Sequence, residues 1–156
     1  VSNKLSGNPG YSWDYDMKTL GYKYYMTDLT AAVGLVQLNK LPDMLNTRRH
    51  IQERYNKHLH MDIERPFYSE IVQHYVIRVD SEIRDNLIDY LSDKKIHTSV
   101  HYKPLYKYEI LKQDRDYPVS DTEWLRLISL PCHAVMSDKD IDYVIYWVNK
   151  YFRDRT

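Results

Sequence analysis

Apolar residues recur at helical spacing in the first half of the chain. One set follows Thr27, whose hydroxyl is placed to cap the first free N–H groups of a helix, and consists of Leu29, Ala32, Val33 and Val36. The pair Leu41 and Pro42 predicts the end of this helix, because the residue before a proline is pushed away from helical angles. A second, long helix is predicted after Pro42, with one face formed by Met44, Arg48, Ile51, Tyr55 and Leu59.

Alternation of apolar and polar positions then predicts strands. Residues 74–80 place Tyr75, Ile77 and Val79 on one face, which is typical of a half-buried strand, and residues 97–102 predict another short one. Between them a helix is predicted, with an apolar face of Ile83, Leu87, Ile88 and Leu91. The order strand, helix, strand favours an α/β fold in which a short sheet of two or three strands is covered by helices.

Two capping boxes predict the starts of later helices. Ser120 with Glu123, and Ser137 with Asp140, have the spacing at which each side chain bonds the backbone N–H of the other. The last helix has an apolar face formed by Ile141, Val144, Ile145, Val148 and Phe152.

The N-terminal residues 1–20 have no sustained periodicity. They contain two glycines, a proline and several serines and asparagines, which predicts a loop or arm that does not fold alone. The chain begins at Val1, and its first methionine is Met17. This start suggests a processed product or a piece of a longer protein.

The composition restricts the possible partners and the compartment. Lysine plus arginine and aspartate plus glutamate both number 22, so no basic field argues for binding to nucleic acid or to an acidic membrane surface. The single cysteine, Cys132, rules out an internal disulfide framework and favours a reducing compartment, the cytoplasm. No apolar run approaches the roughly 20 residues of a membrane helix.

The residues give little support for a metal site or for a catalytic cysteine. His97 and His101 share a face if they lie on a strand, but no carboxylate or cysteine stands at a supporting spacing, so no metal site is predicted. Cys132 and His133 are adjacent, but adjacent side chains of an extended segment point apart, so they are not predicted to act as a nucleophile and its base. No catalytic residue is predicted in this chain.

A cluster of tyrosines surrounds Lys23, just before the first predicted helix. Lys23 and the hydroxyls of Tyr22, Tyr24 and Tyr25 lie where free N–H groups and the helix dipole favour an anion, so they could bind a phosphate. Alternatively, the tyrosines pack the loop against a core and Lys23 is solvated. From the residues alone, packing is the favoured interpretation.

The segment LGYKYYMTDLTAAVGLVQLNKL, residues 20–41, resembles the hallmark segment of the DegT family of pyridoxal-phosphate-dependent nucleotide-sugar aminotransferases. The similarity continues in register over about residues 11–152, through RRHIQERYNKHL, HYVIRV, RDNLIDYLSDKKIHTSVHYKPL and SLPCHAVMSDKDIDYVI. Several motifs in the same order make a chance match improbable.

The resemblance covers only the C-terminal part of the family's fold. It implies the small C-terminal domain of a fold-type I aminotransferase, with residues 1–20 belonging to the end of a missing large domain and residues 21–156 forming the small domain with its interface helices. In the family, the lysine that holds the cofactor covalently lies in the large domain. The chain alone is therefore expected to be inactive.

The resemblance also implies a cofactor contact. The family's enzymes form homodimers, and the asparagine of their G-Y-N-Y-R-M motif reaches the phosphate of the partner subunit's pyridoxal 5'-phosphate. Lys23 stands at that position here and can serve a phosphate as a flexible point charge. Tyr25 replaces the arginine of the motif, which removes a cation from the implied substrate site.

A second segment is similar to the family's sugar-pocket lining. His101 and Tyr102 match the V-H-Y motif, Lys103 follows them, and Tyr106 replaces the usual second histidine. The implied activity is transfer of an amino group, from glutamate as the expected donor, to a keto nucleotide-sugar in amino-sugar or polysaccharide biosynthesis. Two other possibilities remain open: a non-catalytic, truncated interaction module, and a domain that binds a phosphate ligand.

Overall fold

The computed structural model describes residues 4–6, 15–17, 20–22, 24–65, 73–112 and 115–155. It forms two units, residues 1–39 and residues 40–156. The helices and strands of the described residues are β1 (Lys4–Ser6), β2 (Tyr15–Met17), α1 (Asp28–His58), β3 (Tyr75–Arg78), α2 (Ser81–Asp93), α3 (Pro118–Glu123), β4 (Leu127–Leu130) and α4 (Asp138–Arg153). None of these helices is long and apolar enough to cross a membrane.

The first unit begins with two short paired strands. β1 and β2 are antiparallel, with Lys4 opposite Met17 and Ser6 opposite Tyr15. Of the loop or arm predicted for residues 1–20, the loop is therefore wrong at these positions, whereas the arm stays a prediction. Strands of three residues are too short to show a period of two, and their pairing uses backbone groups that every sequence carries.

The start of α1 is capped as its sequence predicts. The backbone N–H of Thr30 donates to Oγ1 of Thr27 at 3.3 Å, and the N–H of Ala31 donates to the Thr27 carbonyl at 2.9 Å. The apolar residues of this part of the helix lie in solvent rather than in a core, and they are Leu29, Val33, Leu35, Val36 and Leu38. The first half of α1 thus presents an uncovered apolar surface.

The predicted break of the helix at Leu41 and Pro42 is wrong, since α1 continues without interruption and contains Pro42. A proline inside a helix costs about 3 kcal/mol through its missing N–H and the clash of its ring. Complete burial of two large side chains further along, Ile51 and Tyr55, is worth about 2 kcal/mol each and favours a helix at that position. This burial explains the helix after Pro42, whereas no described contact explains why α1 continues through the proline.

The second unit has its own hydrophobic core. The predicted inward faces of the second half of α1, of β3, of α2 and of α4 are confirmed. Their fully or almost fully buried side chains include Ile51, Tyr55, Leu59, Tyr75, Ile77, Val79, Leu87, Leu91, Ile141, Val144, Val148 and Phe152. The apolar period of each segment therefore identifies the surface that packs.

The sheet of the second unit consists of β3 and β4, which pair antiparallel with Val76 opposite Ser129. The predicted strand over residues 97–102 is reduced to a bridge between Ser99 and Ser129, with backbone hydrogen bonds of 2.7 and 3.2 Å. The strand that pairs with β3 is β4, which was not predicted as one. A short sheet covered by helices is confirmed as the fold.

The two predicted capping boxes differ in outcome. The box at α4 is confirmed: the hydroxyl of Ser137 accepts from the Asp140 N–H at 3.3 Å, and the Asp140 carboxylate accepts from the Ser137 N–H at 2.8 Å. The box at Ser120 is wrong, because α3 begins at Pro118 and Ser120 lies inside it. Proline suits the first helical position, and this favours the earlier start.

The end of α2 turns sharply toward residue 97. Lys95 has a φ of 60°, its N–H bonds the Ser92 carbonyl, and the Ile96 N–H bonds the Leu91 carbonyl at 2.9 Å. This is a Schellman motif, in which Ile96 and Leu91 are both buried. A lysine therefore occupies a left-handed position that glycine normally takes.

Replacing Lys95 by glycine should stabilise the chain. The left-handed conformation costs a non-glycine residue roughly 1–2 kcal/mol, and the greater freedom of glycine in the unfolded chain returns part of this, so we expect a net gain of about 1 kcal/mol. The measurement is the free energy of unfolding in urea. Lys95→Ala is the matched control, because it removes the same side chain and keeps the strain. A Lys95→Gly variant no more stable than Lys95→Ala would contradict the assignment of strain.

Candidate functional site

His101 is held between a buried serine and a second histidine. Its Nδ1 lies 2.7 Å from Oγ of Ser129. Its ring stacks on His74 with a centroid distance of 3.9 Å and meets the Tyr102 ring edge-on at 4.6 Å. Three neighbours therefore fix the orientation of this imidazole.

The surroundings of His101 favour its neutral form. Burial lowers the pKa of His101 below its ordinary value of 6.5, and the neighbouring His74 lowers it further. The two effects differ in origin but act in the same direction, since reduced contact with water and a nearby titratable imidazole each disfavour a positive charge on the ring. At neutral pH the ring is an uncharged hydrogen-bonding group.

A cavity of about 290 Å³ opens beside this cluster. Its lining comprises Gln73, His74, His97, Thr98, Ser99, His101, Ser129, Leu130, Pro131 and Cys132. The lining comes from three segments that are distant in sequence: the start of β3, the turn after α2, and the end of β4. The cavity therefore exists only because the sheet brings these segments together.

Helix α1 supports one wall of the cavity. Nη1 of Arg48 donates to the Gln73 carbonyl at 2.7 Å and to the Cys132 carbonyl at 3.1 Å. The buried Tyr55 hydroxyl donates to the Pro131 carbonyl at 2.8 Å. These bonds satisfy one carbonyl before β3 and two carbonyls after β4, so two α1 side chains hold the lining in place.

Tyr102 and Lys103, which follow His101, are exposed. Nζ of Lys103 lies 5.0 Å from the centroid of the Tyr108 ring, within the range of a cation–π contact. An exposed phenol and an exposed ammonium group thus directly follow His101, which lines the cavity.

Tyr106 is restrained by α3 rather than pointing freely toward a ligand. Its hydroxyl donates to Oδ1 of Asp121 at 3.2 Å, and its ring stacks on Tyr117 at 4.4 Å. The same carboxylate forms an ion pair with Lys107. The hydrogen bond from Lys107 lowers the pKa of Asp121, and the Asp121 carboxylate raises the pKa of Lys107. Tyr106 is thereby tied to the packing of its own segment.

The tyrosines described near the start of α1 are exposed. Lys23 lies outside the described residues. Tyr22 and Tyr24 on either side of it are each 85% exposed, and Tyr25 is 72% exposed. The rings of Tyr22 and Tyr24 lie 5.5 Å apart. The interpretation that these tyrosines pack against a core is wrong for the three that are described.

Neither a metal centre nor an activated thiol is found among the described residues. No group of three or more histidine, cysteine or carboxylate side chains there is arranged to hold an ion. Burial raises the pKa of the Cys132 thiol, although Arg48 opposes this, and a raised pKa disfavours the thiolate that a nucleophile requires.

A family model identifies the class of protein to which this arrangement belongs. The chain belongs to the DegT/DnrJ/EryC1/StrS aminotransferase family, whose model matches residues 4–149. It is 35% identical over 92% of its length to the spore coat polysaccharide biosynthesis protein SpsC of Bacillus subtilis. It is 31% identical over 83% of its length to the dTDP-4-dehydro-2,3,6-trideoxy-D-glucose 4-aminotransferase of Saccharopolyspora spinosa.

Solved structures agree with this assignment. The protein Spr1654 of Streptococcus pneumoniae in its PLP form matches 93% of the chain with a TM-score of 0.82 and 32% identity, and the chain covers 40% of it. The aminotransferase TlmJ of Streptoalloteichus hindustanus matches 92% with a TM-score of 0.83 and 26% identity, and the chain covers 41% of it. The chain likewise spans 40% of SpsC and 35% of the Saccharopolyspora enzyme.

Two site residues could not be found from the sequence. Ser129 and His74 touch His101, yet each belongs to another segment, and Ser129 is 28 residues away along the chain. Ser129 is a single serine within a short apolar segment, and nothing in the neighbouring sequence indicates that it contacts a polar side chain. His74 begins a segment that is recognisable as a strand. Its position at the end of that strand was the available indication that it could lie at a site.

The ion pair of Asp121 should make stability depend on pH in a defined direction. The folded-state pKa of Asp121 lies below its ordinary value of 3.8. The ionised carboxylate therefore contributes fully to the stability of the fold above pH 3.8, and this contribution is lost as the pH falls through the lower folded-state pKa. We therefore expect Asp121→Asn to lower the urea midpoint at neutral pH, and we expect its difference from the unmodified chain to shrink as the pH falls below 3.8.

The matched control for this prediction is Asp116→Asn, which removes an exposed carboxylate that has no ion pair among the described residues. It should leave the midpoint almost unchanged at either pH. A constant difference between Asp121→Asn and the unmodified chain from neutral to acidic pH would show that the ion pair does not contribute.

Proposed function

We propose that this chain is the C-terminal part of a PLP-dependent aminotransferase that transfers an amino group, with glutamate as donor, to a keto nucleotide-sugar. The observation that carries the proposal is a family match over residues 4–149, combined with a span of 35–40% of the two curated relatives described above. The relative from Saccharopolyspora is named for aminotransfer to a dTDP-linked sugar, and SpsC is named for polysaccharide biosynthesis. Amino-sugar biosynthesis is the process that both names fit.

The surroundings of position 23 fit a phosphate group. Tyr22, Tyr24 and Tyr25 are exposed, so their hydroxyls are available to phosphate oxygens, and no described side chain covers them. In the proposed enzyme, Lys23 contacts the phosphate of the cofactor bound to the partner subunit. Pyridoxal 5'-phosphate, when bound, supplies the electron sink of the reaction. The part of the chain described here contributes binding and orientation.

The cavity and the two exposed residues that follow His101 fit a nucleotide-sugar. His101 offers a neutral ring nitrogen to a sugar oxygen, Tyr102 offers an exposed aromatic face, and Lys103 supplies a positive charge for a nucleotide phosphate. Tyr25 stands at the arginine position of the family motif, and in the proposed enzyme it also contacts the substrate. Tyr106 contributes indirectly, because its bond to Asp121 stabilises the segment that follows Lys103.

The exposed apolar face of α1 supports assembly as a homodimer. Leu29, Val33 and Val36 recur at helical spacing and are all more than half exposed. An apolar stripe of this kind is normally covered by another protein surface. In the proposed enzyme this face is covered by the large domain or by the partner subunit. Assembly with the partner subunit also brings Lys23 to the cofactor that the partner binds.

The chain alone should not catalyse amino transfer. None of its positions matches the family's cofactor-holding lysine, so the purified chain with added PLP, glutamate and a keto nucleotide-sugar should form no 2-oxoglutarate. Addition of the N-terminal part of the family's fold should restore the reaction. Formation of 2-oxoglutarate by the pure chain would contradict the proposed division of the active site.

Lys23→Ala should weaken cofactor retention more than His101→Ala does in the assembled enzyme. Loss of a charge-assisted phosphate contact predicts roughly tenfold weaker retention, measured by the PLP absorbance that remains after desalting. Lys40→Ala is the matched control, because Lys40 is an exposed lysine of α1 with no described side-chain contact. Equal retention in the Lys23 and His101 variants would refute the assignment of Lys23.

A further inference from the structure

Ser129 contributes a buried hydroxyl to the site, although its neighbours in sequence are core residues. It is 5% exposed, and its Oγ lies 2.7 Å from Nδ1 of His101. We infer that Ser129 is a positioning residue that holds His101 as the neutral tautomer with its proton on Nε2, so that His101 presents an N–H donor to an oxygen acceptor of the ligand.

The direction of the hydrogen bond follows from the groups available. The Ser129 hydroxyl has one proton to donate, and within the described part of the chain Nδ1 of His101 is its hydrogen-bond partner. The backbone N–H and carbonyl of Ser129 are already bonded to Ser99. A buried donor without an acceptor is unfavourable, so the hydroxyl donates and Nδ1 accepts. Nδ1 must then carry no proton.

The charged form of His101 fits this geometry poorly. An imidazolium would have to donate from Nδ1 to Oγ of Ser129, and the hydroxyl proton would lose its acceptor. The positive charge would also lie against the His74 ring, whose centroid is 3.9 Å away. Burial and the neighbouring His74 lower the pKa of His101, which agrees with the neutral form.

The tautomer determines which ligand atom His101 can recognise. With Nδ1 occupied, the proton lies on Nε2 at the opposite edge of the ring, and the described residues provide no acceptor for it. The complementary ligand atom is an oxygen with a lone pair, such as a sugar hydroxyl, a keto oxygen or a phosphoryl oxygen. The sugar part of this statement rests on the proposed function, whereas the tautomer does not.

The tautomer can be measured on the chain without any ligand. Long-range ¹H–¹⁵N correlation spectra of the labelled chain at neutral pH should show His101 with a protonated Nε2 and an unprotonated, hydrogen-bonded Nδ1. In Ser129→Ala the Nδ1 resonance should move toward that of an unbonded ring nitrogen averaging between tautomers. Ser129→Thr, which keeps the hydroxyl, should restore the original pattern.

Ser99→Ala is the matched control, because Ser99 is bonded to Ser129 through backbone atoms only and its side chain is exposed. It should leave the His101 pattern unchanged. A protonated Nδ1 in the unmodified chain, or a Ser129→Ala spectrum identical to it, would overturn the inference.

A second experiment separates this inference from the proposed function. The Nε2–H resonance of His101 should shift when dTDP-glucose is added to the assembled enzyme. An absent shift with the expected tautomer intact would overturn the donor role toward sugar ligands and count against the proposed substrate class, while the positioning role of Ser129 would stand. A shift with the wrong tautomer would support the proposed substrate class and overturn the role of Ser129.

Discussion

The pairing of β4 is the constraint on which the candidate site depends. This strand of four residues pairs with β3 along its length and bonds Ser99 through both backbone groups of Ser129. Backbone groups buried in a core need partners, so the register of β4 is firmly set. A shift by one residue would turn the Ser129 side chain to the other face and separate it from His101.

The two halves of α1 have different roles. The second half places Ile51 and Tyr55 in the core, and it also uses Arg48 and Tyr55 to bond the carbonyls around the cavity. The same residues therefore contribute to stability and to the shape of the site. The first half has the apolar spacing of a packed helix, but its apolar face is exposed.

The candidate site combines a part that the sequence reveals with a part that it does not. His101, Tyr102 and Lys103 are consecutive, so a motif identifies them together, and the structure places His101 in the cavity lining. Their chemistry depends on neighbours from elsewhere in the chain. The tautomer and charge of His101 depend on Ser129 and His74, and no spacing rule connects these residues.

The sequence by itself determined the features that depend on local periodicity and on contiguous motifs. These are the inward faces of β3, α2 and α4, the capping box at Ser137, and the membership of an aminotransferase family. Only the tertiary structure decided that α1 continues through Pro42, that β4 pairs with β3, and that Ser129 meets His101. The physical reason is that strand pairing and the contact of Ser129 with His101 depend on segments that are distant along the chain, which no local pattern records.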